Sequence, residues 1–68
     1  MKPLSGKELA KILENNGWKL ARVHGSHHIY TKIDRNERIT VPVHGNKPLK
    51  PGLQNYLIKA ARIAETSH

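Results

Sequence analysis

The stretch Gly25-Ser26-His27-His28 is a turn of small residues that runs directly into two histidines. It lies between two short segments with strand character, roughly residues 18–23 and 27–33. Glycine and serine allow the backbone to bend tightly, and histidine, with an ordinary pKa of about 6.5, exchanges protons near neutral pH. The stretch therefore predicts a β-hairpin with a candidate site at its turn.

The residues before the hairpin predict a helix. Ser5 and Glu8 have the spacing of a capping box, and an apolar stripe at helical spacing follows them. Asn15-Asn16-Gly17 predicts the end of this helix, because glycine suits the left-handed conformation found just past a helix terminus. The first strand then begins at Trp18, which we expect in the core rather than on a stacking surface.

The residues after the hairpin predict a third strand and a second helix. Residues 39–43 alternate apolar and polar, with Pro42 indicating either an edge strand or the end of strand pairing, because proline donates no ladder hydrogen bond. Pro51 suits the first turn of a helix that we expect to run to about Ala64. The predicted core residues are Leu9, Ile12, Leu13, Ile39, Val41, Val43, Leu53 and Leu57.

These elements predict an α+β fold in the order α-β-β-β-α. Both helices are expected on one face of a three-stranded antiparallel sheet, because each element has one apolar side to bury. At 68 residues the chain predicts a single domain spanning 1–68, with residues 1–4 and 65–68 frayed.

The charge of the chain indicates a polyanionic or acidic partner. Twelve Lys and Arg residues against five Asp and Glu residues give a formal net charge of +7. Cysteine is absent, and no apolar run has the length of a signal peptide or membrane span. We therefore expect a soluble cytoplasmic protein that acts away from membranes.

The two histidines are adjacent on a strand, so their side chains point to opposite faces of the sheet. His27 shares a face with Ile29, and His28 shares a face with Tyr30; the sequence alone leaves open which pair is inward. Two ordinary surface histidines are one alternative. A metal site is another, but the five histidines lack the usual ligand spacings, so we expect no metal and no cofactor.

The other candidate site residues would contact phosphate. Arg22, Lys32 and Lys47 lie on the predicted strands and loops, and Ser26 and His28 flank His27. Contacts of this kind position a nucleic acid without reading its sequence. Ser26 lacks the strand-to-helix elbow of a nucleophilic serine.

Four segments together resemble the HicA family of mRNA-interferase toxins. They are Gly17-Trp18, residues 22–28 with the Gly-Ser-His motif, residues 41–45 (Val-Pro-Val-His-Gly) and residues 49–52 (Leu-Lys-Pro-Gly). The resemblance extends over nearly the whole chain. It implies a fold similar to the double-stranded-RNA-binding domain, metal-independent cleavage of mRNA, and His27 as the catalytic histidine. It also implies a HicB-type antitoxin that masks the site, with the toxin monomeric alone or in a heteromeric complex.

A mechanism with one histidine and no metal is attack of a ribose 2′-hydroxyl on the adjacent phosphate. His27 would act as general base or general acid, with Arg22 and Lys47 stabilising the charge that develops on phosphorus. The sequence leaves open whether His24 or His44 assists. A non-catalytic RNA-binding module and a subunit that only binds an acidic protein are the alternative functions. One departure from the family is the absence of a glycine after Ala60.

Overall fold

The computed structural model describes residues 3–63 and has the predicted order of elements. Helix α1 spans Gly6–Asn15, strands β1, β2 and β3 span Lys19–His24, His27–Thr31 and Ile39–Pro42, and helix α2 spans Pro51–Ala60. The three strands form one antiparallel sheet in the order β1-β2-β3. The predicted α-β-β-β-α order is thus confirmed, and so is the edge position of β3.

Helix α1 begins and ends where the sequence predicts. The Ser5 side chain accepts a hydrogen bond of 3.1 Å from the Glu8 backbone N–H, and the Glu8 carboxylate accepts one of 2.9 Å from the Ser5 N–H. This reciprocal pair satisfies two backbone donors that a helix start leaves unpaired. After Asn15 the chain turns through Gly17, whose φ of 94° ends the helix.

Both helices pack on the same face of the sheet around a single cluster of buried side chains. Of the predicted core, Ile12, Val43 and Leu53 are only half-buried against this cluster, and the other five predicted residues are buried in it. Trp18 is 1 % exposed, as expected. The buried apolar residues are Leu4, Leu9, Ala10, Leu13, Trp18, Tyr30, Ile39, Val41, Leu49, Leu57, Ile58 and Ala61.

Fraying is predicted for residues 1–4, of which the structure describes Pro3 and Leu4. Leu4 is buried, and its N–H donates a 2.7 Å hydrogen bond to the side-chain oxygen of the buried Gln54. Its carbonyl accepts a 2.7 Å hydrogen bond from the N–H of Leu49. These contacts fasten the start of the chain to α2 and to the segment before it. The other residues predicted to be frayed, 1–2 and 65–68, lie outside the described residues.

Helix α2 ends at Ala60 and not near residue 64, so the predicted end was wrong. The apolar period continues past this point, but the backbone leaves the helix at Arg62, whose φ is 55°. The N–H of Arg62 donates to the carbonyl of Lys59 and the N–H of Ile63 donates to that of Ile58, both at 3.1 Å. This pairing is a Schellman motif, in which glycine usually occupies the left-handed position.

Arginine at position 62 therefore lowers the free energy of unfolding relative to glycine. A left-handed conformation costs a residue with a Cβ about 1–2 kcal/mol, which the greater unfolded-state freedom of glycine partly offsets. Replacement Arg62→Gly should raise the free energy of unfolding by about 0.5–1 kcal/mol and the melting temperature by about 2–8 °C. Thermal unfolding measures this, with Arg62→Ala as the control that removes the side chain but keeps the Cβ. An equal gain in Arg62→Ala would show that the backbone strain is not the cause.

Candidate functional site

The sheet has one face covered by the helices and one face turned away from them. Tyr30 of β2 and Ile39 and Val41 of β3 are buried against the helices. Because side chains alternate along a strand, the residues between them point to the opposite side. We call this uncovered side the open face, formed by Lys19, Arg22, His24, His27, Ile29, Thr31, Thr40 and Pro42.

The packing of Tyr30 decides which histidine lies on the open face. Tyr30 is 2 % exposed, so His28, two residues earlier, shares the helix-covered side. His27 therefore lies on the open face with Ile29, and its side chain is exposed. The sequence left this choice undetermined because Ile29 and Tyr30 are both apolar enough to be buried.

His27 lies at the hairpin end of the central strand. It is directly opposite His24 of β1 and Pro42 of β3. The turn between the two histidines consists of Gly25 and Ser26, and the φ of 63° at Gly25 suits the first central position of a two-residue hairpin turn. A Cβ on Gly25 would meet no atom within 4 Å, so the turn is open to an approaching ligand.

An irregularity in β1 brings Arg22 to the open face. The register with β2 shifts between Leu20, which is opposite Tyr30, and Arg22, which is opposite Ile29, leaving Ala21 as the extra residue of a β-bulge. Regular alternation from an inward Leu20 would have put Arg22 on the helix side. With the bulge, Arg22 and His24 share the open face with His27.

A shallow cleft of about 240 Å³ lies on the open face, further along β2 from the hairpin turn than His27. Two cations line it, Arg22 from β1 and Arg38 from the residue before β3. Among residues 3–63 the observed ion pair joins Arg35 and Glu37 at 4.0 Å, and neither cleft arginine takes part in one. The cleft therefore has positive charge available for an anion. Its other lining residues are Ala21, Ile29 and Thr31.

Two further candidates, Ser26 and Lys47, lie at the same end of the sheet as His27. Ser26 is half-buried in the hairpin turn, and its carbonyl accepts a 2.7 Å hydrogen bond from the N–H of Val43. The chain then makes a turn closed by a 3.1 Å hydrogen bond from the N–H of Lys47 to the carbonyl of His44. Lys47 is exposed in this loop.

His28 and Lys32, the remaining candidates, lie on the other side of β2. His28 lines an open groove of about 450 Å³ between α1 and the sheet. The side chain of Lys32 lies beside Gly17, with its Cε 3.2 Å from where a Cβ on Gly17 would be. Five residues of strand, about 16 Å, separate Lys32 from His27. The structure thus brings Arg22 and Ser26 close to His27, places Lys47 in the loop that follows β3, and puts His28 and Lys32 on the other side of the sheet.

The groove around His28 is lined by residues of α1 and of the sheet, and one of the latter is Tyr30. Burial raises the pKa of the Tyr30 phenol, and the nearby Glu14 carboxylate raises it further. The hydroxyl therefore stays protonated at neutral pH. The residues lining the groove are Lys7, Ala10, Lys11, Glu14, Leu20, His28, Tyr30 and Val43.

The described residues contain neither a cluster suited to a metal ion nor a helix suited to span a membrane. Within residues 3–63, no three His, Asp or Glu side chains are grouped so that they could hold a metal ion. None of the helices in this range is long and apolar enough to cross a membrane.

Comparison with known proteins decides the family. The model of the HicA toxin of bacterial toxin–antitoxin systems matches residues 6–63, which include every helix and strand. The chain belongs to the HicA toxin family. It is accordingly the toxin of a toxin–antitoxin system, a class that acts together with a cognate antitoxin. No curated protein matches the chain.

Arg38 is a cation of the cleft that was not among the six candidate site residues inferred from the sequence, and Lys19 of the open face was not among them either. The signal was present, since Arg38 directly precedes the inward Ile39 and alternation puts it on the opposite side. The bulge at Ala21 has no comparable signal, because no glycine or proline marks it.

The cleft arginines should bind a polyanion through its charge. With a single-stranded oligonucleotide as the polyanion, Arg22→Ala and Arg38→Ala should each weaken binding, and each should reduce the slope of log K against log salt by about 0.7. Titrations at several salt concentrations measure both effects. The matched control is Lys59→Ala, which removes an exposed cation from α2 on the far side of the sheet. Equal losses in all three variants would mean that the open face has no special role.

Proposed function

We propose that this HicA-family toxin is a metal-independent endoribonuclease that cleaves mRNA with His27 as a general acid or base. The observation that carries the proposal is the position of His27. Its exposed imidazole lies on the open face, at the hairpin end of the central strand, on the same face as Arg22. The Gly-Ser-His motif that contains it is the one in which the family resemblance implies a catalytic histidine.

The reaction that fits this arrangement is an internal transesterification. The ribose 2′-oxygen attacks the adjacent phosphorus, the P–O5′ bond breaks, and the products are a 2′,3′-cyclic phosphate and a 5′-hydroxyl. His27 either removes the proton from the 2′-hydroxyl or donates one to the departing 5′-oxygen. General acid–base assistance of this kind contributes about 10²–10⁴-fold to a rate.

Cations near His27 would stabilise the charge that develops on the phosphate oxygens. Arg22 is two residues from His24 on the same side of β1, about 7 Å along the strand, and His24 is directly opposite His27. The long guanidinium side chain spans such a distance. Lys47 lies in the loop that follows β3 at the same end of the sheet. Donors directed at developing charge are usually the largest contribution to catalysis.

The open face favours contacts with the RNA backbone over contacts with bases. The chain has three aromatic residues, Trp18, Tyr30 and Tyr56. The first two are buried, and Tyr56 projects from α2 on the other side of the sheet. The open face therefore has cations but no aromatic ring on which a base would stack, so binding depends on phosphate contacts.

The antitoxin would neutralise the toxin by covering this same face. A net charge of +7 favours an acidic partner, and a HicB-type protein is the partner that the family resemblance implies. An antitoxin bound over His27 and the arginine cleft would exclude RNA from both. The proposed assembly is a heteromeric complex of toxin and antitoxin.

Replacement His27→Ala should abolish RNA cleavage and growth inhibition while leaving the fold and RNA binding largely intact. The expected loss of rate is at least about 10²–10⁴-fold, because a proton-transfer group is removed. The matched variant His28→Ala removes the neighbouring imidazole on the helix side and should weaken activity less. Cleavage is measured with RNA and the corresponding DNA in the presence of a chelator.

Wild-type activity should persist in the chelator and should require the 2′-hydroxyl. Full cleavage by His27→Ala would refute the assignment of the histidine, and loss of wild-type activity in chelator would refute the metal-independent mechanism. A wild-type protein that binds RNA but never cleaves it would leave the non-catalytic RNA-binding module as the function.

A further inference from the structure

The residue directly opposite His27 across the hairpin is a second histidine, His24. The pair closes the two-residue turn, with His24 as the last residue of β1 and His27 as the first of β2. Directly opposed residues of an antiparallel pair lie on the same face, with Cβ atoms about 5 Å apart. Both side chains are exposed on the open face. The two imidazoles therefore border the same small region above the turn.

The proposed cleavage needs two proton transfers, one from the 2′-hydroxyl and one to the departing 5′-oxygen. A single imidazole in a fixed position is poorly suited to do both at once, because the two oxygens lie on opposite sides of the phosphorus in an in-line attack. We propose that His24 is the second proton-transfer residue, so that His24 and His27 act as an acid–base pair across the scissile phosphate. This inference rests on the proposed ribonuclease function.

The ladder partners and strand neighbours of the pair offer no other group for this second transfer. Strand β3 presents Pro42 opposite His27, which has no titratable group. The nearest cation on β1 is Arg22, whose guanidinium has only donors and would stabilise charge instead. The open-face residues include no carboxylate. His44 is in the loop that follows β3 and is not opposite His27 in the ladder.

The proton balance of the step is complete with these two residues. The neutral imidazole of one histidine takes the proton of the 2′-hydroxyl as the O2′–P bond forms. The protonated imidazole of the other donates its proton to O5′ as the P–O5′ bond breaks. No water, metal or further co-reactant enters. The pair ends with its protonation states exchanged, and solvent restores them.

A substrate with sulfur in place of the bridging 5′-oxygen tests the pair directly. Sulfur is a better leaving group and needs no proton, so the loss of the general acid is rescued with this substrate and the loss of the base is not. The variants are His24→Thr, which keeps a strand-forming residue at the turn, and His27→Ala. The control is Val23→Ala, the adjacent position of β1 on the other face of the sheet.

With the oxygen substrate, His24→Thr should cleave about 10²–10⁴-fold more slowly than the wild type, with an unchanged melting temperature and unchanged binding of a 2′-O-methyl RNA. An acid–base pair predicts a bell-shaped pH profile for the wild type, and the variant should lose one limb of it. With the sulfur substrate, one of the two histidine variants, and only one, should recover. Val23→Ala should keep the wild-type rate.

The inference is overturned if His24→Thr cleaves within a few-fold of wild type, if its pH profile stays bell-shaped, or if the sulfur substrate rescues both variants or neither. A wild-type protein that does not cleave RNA fails the proposed function itself. Wild-type cleavage with an active His24→Thr variant fails only the pairing of the two histidines.

Discussion

The burial of Tyr30 is the interaction on which the rest of the site depends. With Tyr30 packed among the helices, the alternation of β2 is fixed over its whole length, and His27 must face away from the core. A shift of one residue would exchange the two faces, burying His27 and exposing His28. The same packing fixes which side chains of β3 point inward, because Ile39 and Val41 lie opposite Tyr30 and His28 and are themselves buried. One large side chain in the core thus determines which histidine an external ligand meets.

The bulge at Ala21 allows Leu20 to lie on the helix side of the sheet and Arg22 to lie on the open face. With regular alternation, both residues would lie on the same side. Leu20 is opposite Tyr30 and therefore points to the helix side, while Arg22 is opposite Ile29 and therefore points to the open face. The single extra residue makes both orientations possible and leaves Val23 beside Leu20 on the helix side. On this edge strand Leu20 and Val23 are only partly covered by the helices, with 45 % and 51 % of their surfaces exposed. As a result of the bulge, Arg22 and His24 lie on the same face as His27.

The elements themselves follow from local sequence, and the details of the site follow from packing. The capping box at Ser5 and the glycine stop at Gly17 made the bounds of α1 predictable. The direction of His27 was not, because Ile29 and Tyr30 compete for the interior and only the available space selects between them. The end of α2 was also not predictable, because its apolar spacing continues beyond Ala60 and the stop depends on the backbone of Arg62. The side of the sheet on which Arg38 lies was predictable, because alternation from the inward Ile39 puts Arg38 on the opposite side.

The central claim is that this toxin binds RNA on the open face of its sheet. The most direct measurement is the change in backbone amide chemical shifts when the full chain binds a 2′-O-methyl RNA that cannot be cleaved. The account predicts the largest changes in β1 and in the open-face residues of β3, with Arg22, His24 and Thr40 among them. Changes concentrated instead in α1 along the groove, at Lys7, Lys11 and Glu14, would contradict it.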